Sequence, residues 1–497
     1  MSTVTQEVGG KTQRKLLNHD NINPHIRRVQ YAVRGELAIR AENLKAAIAK
    51  RGRNGFSFDS VVNCNIGNPQ QLKQKPITFF RQVASLIDYP DLLIPENQSK
   101  VEALYPIDAI ERARKLLKQI GAVGAYSHSQ GIESIRNDVA EFIKERDGYS
   151  TDPALIFLTQ GASQGVQNVL QIIISHSNVG VMIPIPQYPL YTATLALYDG
   201  KPVPYYLNEE QDWGLDIAEL TSSLAKARSE GVEVRALVII NPGNPTGQCL
   251  SEHNMKEIIE FCYREGLILL ADEVYQANIY YPAQRPFHSF KKVLKSMGPE
   301  YDEFELFSFH SISKGLIGEC GRRGGYFECT GIDPKVVDEL YKIASVNLCP
   351  NVHGQVMVDL MVKPPKSGDP SYDLYQNECR EIYESLRRRS AKLCKVFNSM
   401  EGVTCNSAQG AMYLFPQITL PQKAIEAAEL SSHQPDEFYC LAMLDATGVC
   451  VVPGSGFGQK DNTWHFRSTF LPQEELFEGF CGLLTKFHNE FMDKYRD

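Results

Sequence analysis

The chain has 497 residues, 43% of them hydrophobic and 22% charged, which is too long for one ordinary core and predicts two domains, or one large domain with a smaller one folded against it, with a sizeable interior. A formal net charge of −8 without a long basic run excludes recruitment of nucleic acid by the surface field. The longest apolar runs, such as 179–186, fall far short of the roughly 20 residues that span a bilayer.

The first thirty residues carry Lys11, Arg14, Lys15, Arg27 and Arg28 among several Ser and Thr, a faint likeness to a transit peptide. Glu7, Asp20 and the lack of an apolar segment point to a cytosolic chain, with the mitochondrion as the alternative. From about 154 to 327, short apolar runs alternate with longer amphipathic ones, the pattern of a mostly parallel sheet covered by helices. The expected strands are 154–158, 179–185, 203–207, 234–240, 267–271, 305–309 and 324–327, seven in one sheet. Helical periodicity lies between them at 163–174, 217–228 and 252–264. Residues 363–369, with two prolines and a glycine, form a loop at a domain boundary. A long charged helix over 376–400 and an amphipathic stretch over 474–491 follow in a second, smaller α/β unit. Twelve cysteines are scattered with no C-x-x-C pair and no histidine at ligand spacing, so reduced core thiols and no metal site are expected.

The chemistry-bearing residues gather at strand ends, where open α/β sheets bind ligands. After the first strand, Thr159-Gln-Gly-Ala-Ser-Gln-Gly165 opens a helix whose small residues let its free N–H groups approach a phosphate. The same residues match G-x-S-x-G, the nucleophile elbow of α/β-hydrolases. On that reading Ser163 is the nucleophile, with His465 and either Asp461 or Asp445 completing a triad. No HGGG oxyanion loop accompanies it, and Asn244, Asp272 and Lys314 would go unexplained. After 234–240 comes Asn241-Pro-Gly-Asn-Pro-Thr-Gly247, either a plain turn or a rigid one that aims its amides. After 267–271, Asp272-Glu-Val-Tyr275 puts a carboxylate and a phenol together, although Asp272 could equally cap a helix. After 305–309, His310-Ser-Ile-Ser-Lys-Gly315 places a lysine beside hydroxyls and glycines, where a solvated surface lysine is less expected. Gly454-Ser-Gly-Phe-Gly458 has the wrong spacing for a dinucleotide loop and reads as an ordinary loop.

In order along the chain, G-A-S, P-x-Y-P-x-Y, N-P-x-N-P-T-G, D-E-V-Y, S-x-S-K, G-x-R-x-G-Y and a late aromatic-x-Arg together resemble the fold-type I aminotransferases, which depend on pyridoxal 5′-phosphate. The likeness tightens to the alanine aminotransferases through Tyr31-Ala-Val-Arg-Gly35, Asn65-Ile-Gly-Asn-Pro-Gln70, Gly124-Ala-Tyr-Ser-His-Ser129, Ile183-Pro-Ile-Pro-Gln-Tyr-Pro-Leu-Tyr191, Gly318-Glu-Cys-Gly321, Gln409-Gly-Ala-Met-Tyr413 and Val452-Pro-Gly-Ser-Gly-Phe-Gly458. It covers the chain from about residue 20 onward.

That resemblance implies an N-terminal arm over 1–29, a small domain made of 30–75 and 372–497, and a large cofactor-binding domain over 76–371. It implies ping-pong exchange between L-alanine and 2-oxoglutarate, with glyoxylate or a related acceptor, or lyase chemistry on the same fold, as alternatives. Lys314 would carry the cofactor as a Schiff base and then move the α-proton, Asp272 would pair with the ring nitrogen, Asn244 and Tyr275 would hold the ring hydroxyl, and Tyr188 would stack on the ring. Ala162, Ser163, Ser311 and an arginine would form the phosphate cup. The general spacing of eight residues after the lysine gives Arg322, but the local G-x-R-x-G-Y frame selects Arg323, which is the arginine expected at the phosphate. Tyr126 would reach the phosphate of a neighbouring subunit, implying a homodimer with shared sites, and Gly67 and Arg467 would close on the substrate carboxylate.

Overall fold

The seven apolar runs form one sheet in a computed structural model that describes residues 16–31, 35–52 and 55–496, together with the short backbone strands Glu7–Val8 and Lys11–Thr12. Arg14, Lys15 and positions 32–34 of the 31–35 motif lie outside the described residues, as do the side chains of Glu7 and Lys11. The strands are β1 Ile156–Thr159, β2 Val179–Ile185, β3 Lys201–Tyr206, β4 Glu233–Ile240, β5 Ile268–Asp272, β6 Leu306–Ser311 and β7 Gly325–Thr330. Their spatial order is β1-β7-β6-β5-β4-β2-β3. Only β7 runs against its two neighbours; the other pairings are parallel. Strands covered on both faces read as unbroken apolar runs, and β1, β6 and β7 are buried at every position. At the edge, β3 alternates buried and exposed residues and holds Pro202 and Pro204, as an edge strand tolerates.

Several elements depart from their expected boundaries. Asp152 accepts a hydrogen bond from the Ala154 N–H and winds Pro153–Leu155 into a 3₁₀ turn, which delays β1. The long charged helix runs over Tyr372–Phe397, starting four and ending three residues before its expected bounds. The C-terminal helix begins only at Phe477 and continues to Tyr495.

Helices cover both faces of the sheet. On one side Ala162–Ile173, Leu190–Tyr198 and Pro334–Val346 pack on a layer that includes Phe157, Phe307, Phe309 and Phe327, with the Phe157 and Phe327 rings stacked 4.9 Å apart. Each ring so buried contributes roughly 1.5–3 kcal/mol. A Cβ on Gly165 would stand 3.0 Å from the Phe327 ring, so this glycine sets how closely helix Ala162–Ile173 lies on the sheet. Helices Thr78–Asp88, Ile107–Ile120, Glu133–Asp147 and Val352–Val362 build a second layer. A further core joins Leu37, Ala41 and Cys64 to residues between 386 and 492. The parallel pairing of Val62–Asn63 with Val449–Cys450 closes it. Within this unit β8 Tyr413–Leu414, β9 Val452–Pro453 and β10 Phe466–Thr469 form a small sheet in the order β8-β10-β9.

Candidate active site

The ends of β1, β4, β5 and β6 meet the small sheet at one buried cluster. Asp272, the last residue of β5, is 5% exposed. Its Oδ2 accepts a 2.9 Å bond from the Tyr191 hydroxyl, while Oδ1 is buried with no hydrogen-bond partner among the described residues. No helix follows Asp272, only a turn, so it caps nothing. Burial pushes its carboxyl up to about 6, against the lowering effects of Tyr191, the Val274 N–H and the Lys314 cation.

In the turn after β4, Asn241 Oδ1 accepts from the Leu250 N–H at 3.0 Å. That bond fixes the loop, so its second asparagine, Asn244, points inward. The Asn244 amide donates to the Tyr275 hydroxyl at 3.4 Å, and its Oδ1 accepts from Arg467 at 2.9 Å. Tyr275 is bonded in turn to the Tyr413 hydroxyl at 3.1 Å. Arg467 comes from β10, where strand alternation sends it and Phe466 to opposite faces; Phe466 packs against Phe397 and Tyr439. The guanidinium is 1% exposed, donates to the Asn65 carbonyl, and lies 4.2 Å and 4.7 Å from the ring centroids of Tyr413 and Phe457. Among the described residues no carboxylate pairs with it, and its Nε is buried without a partner. A buried cation in such a setting is costly unless an anion joins it.

Lys314 follows β6. Its amine donates to the Gly67 carbonyl at 2.8 Å, and a Cβ on Gly67 would collide with the Tyr413 hydroxyl while standing 3.1 Å from that amine. Tyr188 flanks the same space, its hydroxyl bonded to that of Tyr31.

A second group of donors surrounds the N-terminus of helix Ala162–Ile173, which has no side-chain cap. Gly161 precedes it with φ +82°, and a Cβ there would strike the Arg323 guanidinium. Arg323 donates to the Gln160 and Cys320 carbonyls at 2.9 and 3.0 Å and to Ser313 Oγ at 3.4 Å. Ser313 Oγ also accepts from Ser311 Oγ at 3.0 Å. Uncapped N–H groups, hydroxyls and a guanidinium form a cradle for a phosphate. If Ser163 acts only as one donor among several in that cradle, Ser163→Ala is expected to keep most activity and to lose roughly 0.5–1.5 kcal/mol of phosphate binding. Titration of cofactor into the cofactor-free variant measures it; complete inactivation joined to esterase activity in the unmodified protein would favour the hydrolase instead.

The hydrolase constellation is not assembled. His465 is bonded through its two ring nitrogens to Gln459 and Glu209, and Asp445 holds Arg40. Tyr126 is not drawn into the buried cluster either, being 79% exposed. Three side chains that the sequence left without a role do belong to it: Tyr191 on Asp272, Tyr413 beneath Arg467, and Ser313 in the cradle. For Ser313 a signal existed, since Ser311 and Ser313 stand two apart just past a strand.

Residues 93–480 match the family described as aminotransferase class I and II. The "probable alanine aminotransferase, mitochondrial" of Dictyostelium discoideum is 55% identical over 98% of this chain and 91% of its own. "Glutamate–glyoxylate aminotransferase 1" of Arabidopsis thaliana is 52% identical over 97% and 98% respectively. Among solved structures, the alanine aminotransferase from Pyrococcus furiosus covers 95% of this chain and 100% of its own with a TM-score of 0.73 at 23% identity, a likeness of fold.

Proposed function

The chain belongs to the aminotransferases of class I and II, and from that premise we propose that it exchanges the amino group of L-alanine with 2-oxoglutarate, giving pyruvate and L-glutamate in two successive half-reactions. Its cofactor is pyridoxal 5′-phosphate. What carries the reading is one buried cluster holding a carboxylate with an unused oxygen, a lysine amine and an arginine without an acidic partner.

These residues fit the cofactor. Asp272 Oδ1 is a free acceptor for a protonated ring nitrogen, the Asn244 and Tyr275 pair stands ready for the ring hydroxyl, and Tyr188 walls one side. The N–H groups of Ala162 and Ser163 with Ser311, Ser313 and Arg323 suit the phosphate. When bound, the cofactor supplies an aldehyde for an amine to hold and a ring that accepts the electron pair left when a Cα–H bond breaks. Lys314 would hold the cofactor and, once free of it, would move the proton at the substrate Cα as general base and acid. Arg467 anchors the α-carboxylate, and Gly67 leaves room for it by having no side chain. The surface position of Tyr126 suits a contact with the phosphate of a second subunit in a homodimer.

A planar guanidinium matches a carboxylate in two parallel bonds, which a lysine cannot reproduce. Arg467→Lys is expected to weaken alanine and 2-oxoglutarate alike by roughly 10- to 100-fold, the scale of about 1.5–3 kcal/mol for a charge-assisted bond. Cofactor content should barely change. Saturation curves for both substrates check this, and unchanged dependence on both would remove Arg467 from the role.

Substrate choice is supported by the Dictyostelium relative, while the Arabidopsis one keeps glyoxylate as a second acceptor to try. Incubating the protein with alanine and 2-oxoglutarate and following pyruvate tests the first reading; a markedly higher rate with glyoxylate favours the second. The mitochondrial name of the Dictyostelium relative favours the matrix over the cytosol expected from Glu7 and Asp20. Fractionating cells that express the tagged chain tests the compartment.

A further inference from the structure

Tyr413 has no part in the scheme above, yet it is 2% exposed and stands between the two charged side chains that handle the substrate. On β8 it pairs with Thr469 of β10, two residues from Arg467 and therefore on the same face. That register brings its ring under the guanidinium at 4.2 Å. Its hydroxyl reaches the other way, to Tyr275 at 3.1 Å and toward the Lys314 amine beside Gly67.

We propose that Tyr413 is a positioning residue for both groups: its hydroxyl holds the Lys314 amine against the reacting carbon, and its ring face fixes the Arg467 guanidinium for the carboxylate. The proposal rests on the roles given above to Lys314 and Arg467. A lysine set free from the cofactor has a flexible four-carbon stem and three rotatable donors, and proton transfer needs it within hydrogen-bond reach of one carbon. An acceptor anchored on the second sheet supplies that restraint. Anchoring is itself secured, because the ring of Tyr275 meets that of Tyr413 edge to face, with centroids 5.9 Å apart. The charged and titratable groups around the Tyr413 hydroxyl include Lys314, Arg467, Tyr275 and the more distant phenol of Tyr188. Burial pushes its ionisation upward, but the Lys314 and Arg467 cations together with the hydrogen bonds from Tyr275 and Lys314 hold the phenol below its ordinary range.

Two variants separate hydroxyl from ring. In the cofactor-loaded full-length protein, Tyr413→Phe should lower kcat of both half-reactions roughly 10- to 100-fold, with KM held within about twofold. Tyr413→Leu should in addition raise KM for alanine and for 2-oxoglutarate. Retained cofactor absorption shows that both variants are folded. Independently of any substrate, ultraviolet titration of the cofactor-free protein should reveal one tyrosine ionising below the ordinary phenol range, absent from Tyr413→Phe. That titration separates this proposal from the choice of alanine as substrate. An unchanged kcat in Tyr413→Phe, a rise in KM alone, or the same low-ionising tyrosine in that variant would overturn it.

Discussion

Lys314→Ala should abolish the visible absorption of the purified protein and reduce transamination by at least about 10⁴-fold, since one positioned proton-transfer group alone is worth up to that much. Under the proposed mechanism Lys314 has two tasks that no neighbour can assume: covalent attachment of the cofactor, then proton movement at the substrate Cα. Among the described residues Lys291 is the one fully buried lysine, and it is tied to Thr151 and Glu328. Cofactor should still bind through the cradle at Ala162, Ser163, Ser311, Ser313 and Arg323, but without the conjugation that produces the absorption of the lysine-bound form. Spectra before and after adding cofactor, with pyruvate formation followed in parallel, check both expectations. A variant that kept its absorption and its turnover would mean that a different lysine holds the cofactor.

The sheet was legible because parallel strands covered on both faces must be apolar throughout, so β2, β4 and β5 stand out as unbroken runs between amphipathic stretches. Asp272, Asn244 and Lys314 were legible because each ends an apolar strand or lies within four residues of its end. Contacts made only in three dimensions were not. Nothing in the sequence tells that Tyr191 bonds the carboxylate of Asp272, or that the segment holding Tyr413 folds back to lie under Arg467. Arg322 and Arg323 could not be separated by spacing. In the structure Arg323 adopts φ +53°, and its guanidinium lies against Gly161 and Ser313. G-x-S-x-G misleads for a related reason: Gly161 clears Arg323 and Gly165 clears Phe327, two packing needs that reproduce a nucleophile-elbow pattern without a triad.

Asp272→Asn is expected to act in opposite directions on turnover and on the stability of the cofactor-free protein. Tyr191 can donate to an amide oxygen as it does to Oδ2, so the variant should fold and keep its cofactor through the phosphate cradle. Turnover should nevertheless fall at least about 100-fold, the lower end of what a positioned proton-holding group contributes, because a neutral amide does not hold the ring nitrogen protonated. Stability follows from the carboxyl being raised from 3.8 to about 6 by burial. A raised acid stabilises the fold fully below its unfolded value, and that contribution is lost as pH climbs through the folded one. Two units correspond to about 3 kcal/mol lost between roughly pH 4 and pH 7. The asparagine variant has no such charge to bury, so without cofactor it should be the more stable protein at neutral pH. Glu273, raised by burial to about 8, adds its own slope to both proteins, and only the difference between them belongs to Asp272. Denaturant unfolding of the two cofactor-free proteins across this window reads that difference. Parallel curves together with near-normal turnover would mean that Asp272 is not the partner of the ring nitrogen.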